Sequence, residues 1–125
     1  MAFRSRPKSE RSLSAPVRGL NLDEELARLR KEKEWQEGRR NAITLHKSGG
    51  LNVVLVAMRA GDRLEEHSAP GPISLVVREG RIHFTAEGET IEAGPETLLT
   101  CDAKVRHTVE ALSDAVCLLN VVTGG

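Results

Sequence analysis

From Asn41 onward the chain is punctuated by glycines at Gly50, Gly61, Gly71, Gly80, Gly88 and Gly94, with successive gaps of 11, 10, 9, 8 and 6 residues. Between them lie runs rich in Val, Ile, Leu and Thr. Glycine supplies the backbone freedom that tight turns need, and β-branched residues favour extended chain. Turn signals recurring at this interval point to a sandwich or barrel of short strands. Nine candidate strands result, at 43–47, 51–59, 64–69, 73–78, 82–86, 89–92, 96–101, 106–111 and 115–122. Nothing in this stretch holds a 3.6-residue pattern over helical length. At 125 residues the chain has the size of one domain.

The residues before Asn41 read differently. Residues 1–20 carry Arg4, Arg6, Lys8, Arg11 and Arg18 against Glu10 alone, with few apolar side chains, and are expected to form a flexible basic arm. Asn21 then has the character of a helix N-cap, with Glu24 completing a capping box, and a helix is expected over 21–38, ended by Gly38. Leu22, Leu26 and Leu29 share one face of it, Glu24/Arg28 and Lys33/Glu37 make i,i+4 pairs, and Trp35 projects from nearly the opposite side. The barrel is expected over 41–123.

The runs at 51–59 (LNVVLVAMR) and 115–122 (AVCLLNVV) are apolar on both faces and need cover on both sides. A second subunit would provide it, which makes a homodimer the expected assembly. The alternative is that both strands sit centrally in a two-sheet sandwich, with the leucines of the helix on the outside. Only Phe3, Trp35 and Phe84 are aromatic, which argues against base stacking and hence against single-stranded nucleic acid as a partner. No apolar run approaches the ~18 residues of a membrane-spanning helix, so no membrane partner is expected. Two cysteines, Cys101 and Cys117, without a CxxC pair, suit a reducing compartment as small buried hydrophobes. Residues 1–20 lack the apolar core of a secretory signal and have only a faint likeness to an organelle transit peptide, so a cytoplasmic location is expected.

One segment has a familiar spacing: Gly61, five residues, His67, then Gly80 closing the next hairpin. It resembles the first motif of the cupin family, G-x5-H-x-H-x3,4-E-x6-G. Gly94 and His107 look like the first glycine and the histidine of the second motif, G-x5-P-x-G-x2-H-x3-N, with Asp102 and Lys104 where its proline and glycine would stand. The likeness spans roughly residues 43–122. The segment from His67 to Ser74, HSAPGPIS, is similar to an H-x-A-P-G-P-I pattern of small bacterial single-domain cupins, mostly of unassigned function. The resemblance implies an all-β double-stranded β-helix, or jelly roll, with a short N-terminal helix and a ligand cavity inside the barrel.

In metal-binding cupins, two histidines and a carboxylate of the first motif join one histidine of the second. His67 and His107 match, but Ala69 stands at the second histidine position and Ile73 at the carboxylate position. Two imidazoles fall short of the roughly three protein donors of a non-haem iron site, so no tightly held cofactor is expected; a divalent ion, if bound, would sit at His67 and His107. Strand alternation leaves Glu65 on the side of His67 and turns Glu66 away, which makes a Glu65/His67/His107 triad conceivable. Cys101 could offer a thiolate or be an ordinary buried strand residue, and Asp102 has turn character. His46 and His83 follow core-facing positions and are expected to face solvent. Ala69-Pro-Gly-Pro72 is a stiff turn that would fix His67 at the barrel entrance.

The expected cavity is apolar, drawn from Ile73, Leu75, Val77, Ile82, Phe84 and Leu98, with His67, His107, Glu65 and Arg106 as polar points. Such a lining suits a small-molecule pocket. The favoured reading is a cupin that binds or senses a small molecule without a tightly held metal. The alternative is a cupin-type enzyme, either metal-assisted or with a histidine as general base, and a third is a partner-binding module acting through the basic arm and helix. No catalytic residue is assigned.

Overall fold

The structure, a computed structural model, describes residue 13 and residues 15–123, apart from the side chain of Glu66. Two short helices precede nine strands: α1 (Leu22–Lys31), α2 (Lys33–Gln36), β1 (Arg40–Ser48), β2 (Leu51–Met58), β3 (Arg63–His67), β4 (Ile73–Glu79), β5 (Ile82–Ala86), β6 (Glu89–Ala93), β7 (Leu98–Cys101), β8 (His107–Ala111) and β9 (Ala115–Val122). The glycine turns separate strands as their spacing implies. Gly80, at the β4–β5 turn, has φ +79°, and a Cβ there would stand 2.1 Å from the Asp114 carbonyl oxygen.

The strands form two antiparallel sheets, ordered β1-β2-β9-β4-β7 and β3-β8-β5-β6. Facing inner surfaces bury Met58, Ile73, Leu75, Val77, Ile82, Phe84, Leu99, Val109 and Cys117 as one cluster. This is the expected all-β jelly roll with an N-terminal helical appendage. Leu98, expected inside, is 65% exposed, and its neighbour Leu99 is buried instead. The pairing with β4 sets the phase: Leu99 stands opposite the inward Leu75, and Leu98 opposite the outward Val76.

The outer face of the five-stranded sheet carries a second cluster, in which Leu26, Leu29 and Trp35 pack on Ile43, Leu45, Leu55, Ala57 and Val116. The cover that β2 and β9 need on their outer side therefore comes from within the chain. Asn21 caps α1 as expected, its Oδ1 accepting from the Glu24 N–H at 3.0 Å. The single helix to Gly38 is instead interrupted at Glu32, whose backbone is extended (φ −74°, ψ 148°). That break resets the helical phase, and so Trp35 turns towards the leucine face rather than away from it. Arg28 pairs with the buried Glu25 at 2.9 Å. Trp35 is covered by the Arg59 guanidinium, 3.7 Å from the ring centroid.

Residues 1–12 and 14 of the expected arm lie outside the described residues. The rest of it is tied down: the Leu13 carbonyl accepts from the Lys47 N–H at 3.0 Å, and Arg18 donates to the Leu45 carbonyl at 2.6 Å, both along β1. β1 is an edge strand, and these bonds occupy backbone groups that an open edge would present to another chain. No helix among the described residues is long and apolar enough to cross a membrane.

Candidate functional site at the barrel mouth

β3 and β8 bring His67 and His107 together. The register pairs Leu64 with Val109 but His67 with His107, so β3 carries a one-residue bulge between Leu64 and His67. Regular alternation would put Leu64 and residue 66 on the inner face and His67 outside. The extra residue restores His67 to the inside, beside His107. The expectation that Glu65 shares His67's side is overturned by this bulge: the Glu65 side chain is 79% exposed and lies 3.5 Å from Arg63. Glu66, expected to face away, has a side chain outside the described residues. Arg106, expected as a polar point of the cavity, is exposed and not part of its lining.

The cavity is lined by the rings of His67, His107 and Phe84 among apolar residues that include Leu64, Ile73 and Leu75, and it encloses about 40 Å³. That is the space of one or two waters, given the ~30 Å³ each occupies in the liquid. Val77 and Ile82, expected as lining, are buried in the core and not part of the cavity wall. His107 is 4% exposed and stacks on Phe84, with centroids 5.1 Å apart and planes at 16°. The exposed His67 stands edge-on to it at 4.2 Å.

Both rings are held the same way. His67 Nδ1 lies 2.7 Å from the Glu65 carbonyl oxygen, and His107 Nδ1 lies 3.0 Å from that of Val105. A carbonyl only accepts, so each Nδ1 carries a proton, which in the neutral ring leaves the lone pair on Nε2. Burial holds the His107 imidazole below its ordinary pKa, outweighing the Val105 bond that raises it, and the nearby His67 adds a smaller lowering influence. Cys101 Sγ lies 4.0 Å from His107 Nδ1. Its thiol is pushed up, first by burial and then by Asp102 and Glu87, and the Cys117 thiol is pushed up to about 12 by burial, so both suit the structural role expected of them.

The loop after His67 is rigid for a visible reason. A Cβ on Gly71 would stand 1.7 Å from the Val122 carbonyl oxygen, so only glycine fits between the two prolines. The Ala69 carbonyl accepts from the Lys104 N–H at 2.9 Å, which ties this loop to the one before His107. Lys104 has φ +65° at the place where the second cupin motif has glycine. His83 lies on the outer face, 3.8 Å from Glu92 and 4.0 Å from Glu110. His46 is half-buried rather than solvent-facing, its Nδ1 3.4 Å from Arg18.

Neither Ala69 nor Ile73 can ligate, and among the described residues no group of three His, Cys, Asp or Glu converges. Two imidazoles in an otherwise apolar wall do not fit a tightly held transition metal, which needs about three donors.

No family model matches the sequence, and no curated protein matches it either. Solved structures do. A protein of unknown function from Rhizobium leguminosarum superposes with TM-score 0.71 at 17% identity, over 88% of this chain and all (100%) of that one. An RmlC-like cupin from Desulfovibrio desulfuricans gives 0.62 at 26% identity, over 68% and 83% of the two chains. A cupin superfamily protein from Desulfitobacterium hafniense gives 0.66 at 17% identity, over 69% and 79%. The chain is thus a small protein of cupin fold, and the likeness that its two histidine motifs suggested is confirmed at the level of architecture.

Proposed function

We propose that this chain binds a small molecule at the mouth of its barrel, through a compact hydrogen-bond donor that enters between His67 and His107. One observation supports the reading above others. Both Nδ1 protons are given to backbone carbonyls, leaving two Nε2 lone pairs on rings 4.2 Å apart within an apolar wall. With its pKa held down, His107 is neutral at physiological pH and acts as an acceptor. A space of about 40 Å³ admits only a head group of a few atoms, such as a hydroxyl or N–H. The rest of the ligand lies across the exposed rim at His67. The role is binding or sensing, without a tightly held metal.

A second reading draws on the same neutral ring: a bound O–H or N–H that donates to His107 Nε2 is placed for proton transfer, which would make the site catalytic. A thermal-shift screen of small alcohols, hydroxy acids and amides tests the binding reading. A stabilising compound is expected, with affinity reduced tenfold or more in both His67→Ala and His107→Ala. Equal affinity in the two variants and the parent chain removes the mouth as the site.

A further inference from the structure

A second concavity lies on the flank of the barrel. β6 and β7 are the outermost strands of their respective sheets and do not pair with each other, so the two sheets part along this side. The opening between them has a volume of about 380 Å³, several times that of the mouth cavity and within the range of about 300–1,000 Å³ usual for ligand pockets. Its floor is apolar, formed by Phe84, Ala86, Ile91 and Leu99. Ile91 faces the interior opposite Phe84 in the register, yet it is 45% exposed, because no strand covers it across the gap.

The rim is acidic, with Glu87, Glu89 and Asp102, and no Lys, Arg or His belongs to the lining. These three carboxylates stand apart from the rest of the barrel. Asp62 lies 2.9 Å from Arg40, Glu65 3.5 Å from Arg63, Glu79 2.9 Å from Arg30 and Asp114 3.8 Å from Arg59. Glu92 and Glu96 share Arg81 at 2.7 and 3.3 Å, and Glu110 lies 4.0 Å from His83. Among the carboxylates with described side chains from Asp62 onward, only the three around the opening have no Arg, Lys or His side chain within 4 Å. The negative field they set up reaches the pocket wall: after burial, the charges of Asp102 and Glu87 are what raise the Cys101 thiol.

An apolar floor of ligand size under three unneutralised carboxylates selects for charge as well as shape. We propose that this lateral opening is a binding site for a small organic cation, a primary amine or guanidinium carried on a short apolar body. The apolar part rests on Ile91 and Leu99, and the cation sits among Glu87, Glu89 and Asp102. The site is independent of the mouth, sharing only Phe84 in its wall.

Benzylamine and its neutral analogue benzyl alcohol test it, titrated into the full chain at pH 7.5 and followed by backbone amide shifts. Saturable shifts at Ile91, Leu99 and Thr100 are expected with benzylamine, with binding at least tenfold weaker for the alcohol. The amine's affinity should fall as salt rises from 20 to about 300 mM, since exposed charges are screened. Glu89→Gln with Asp102→Asn should weaken benzylamine fivefold or more, whereas His67→Ala and His107→Ala should leave it unchanged, so failure here and failure of the mouth reading are separable. Equal binding of amine and alcohol, shifts confined to other strands, or no saturation would overturn the proposal.

Discussion

At the scale of single residues, the histidines were legible in the sequence and their surroundings were not. His67 and His107 stood out by their distances from Gly61 and Gly94. The carbonyls that orient them come from the backbone of Glu65 and Val105, which no side-chain pattern reveals. Lys104 is the counter-case: the motif likeness placed it at a glycine position, and the backbone there is left-handed. A Cβ in that region is strained, and a branched one more so, by about 1–3 kcal/mol. Lys104→Val is therefore expected to destabilise the chain by about that amount in urea unfolding, whereas Lys104→Gly should not destabilise it. The buried His107 makes stability depend on pH. Its pKa is lower folded than in the unfolded chain, where it is near 6.5. Above about pH 6.5 both states are neutral there and the group contributes nothing. As pH falls below that value the unfolded chain takes up the proton first, and stability is lost until the folded pKa is passed. Denaturant unfolding between pH 7.5 and 5 should show a smaller loss in His107→Gln than in the parent chain; an equal loss would place the acid sensitivity elsewhere.

At the scale of elements, alternation and periodicity carried the reading until the backbone departed from regular geometry. Strands β1 to β9 all fall where glycines and β-branched runs put them. Three irregularities were invisible: the bulge in β3 that moves Glu65 out and His67 in, the extended Glu32 that turns Trp35 inward, and the register that exchanges Leu98 for Leu99. Each is decided by long-range pairing or packing, which a local pattern does not encode. The helix junction depends on one side chain in particular. Asn41, at the start of β1, donates through Nδ2 to the Leu29 carbonyl at 3.1 Å and to Glu32 Oε1 at 2.9 Å. It thereby gives the Leu29 carbonyl, which already accepts from the Glu32 N–H at 3.2 Å, a second donor and ties β1 to the break between the helices. Asn41→Leu removes both bonds and should cost about 1–3 kcal/mol, at about 0.5–1.5 kcal/mol for each, read as a lower urea midpoint at unchanged slope. A midpoint equal to the parent's would show that the helices need no such clasp.

At the scale of the whole molecule, one architecture supports two concavities of different character. Between the sheets beside the β3–β8 pair the space is small and apolar, with two imidazoles as its polar features; where the sheets part at β6 and β7 it is larger and negative. The scarcity of aromatics bears on both, since Phe84 is the sole aromatic of the barrel from Asn41 onward and one face of its ring is taken by His107. Stacking of a planar ligand is disfavoured at the mouth, and a compact polar head is the better fit. The mouth site depends most heavily on the state of the two imidazoles. Side-chain nitrogen NMR at pH 7.5 reads it directly: for both His67 and His107 the proton should reside on Nδ1, with Nε2 unprotonated and its signal moving when a mouth ligand is added. A proton on Nε2 of either ring would mean that the paired acceptors do not exist, and the proposed mouth site would be contradicted with them.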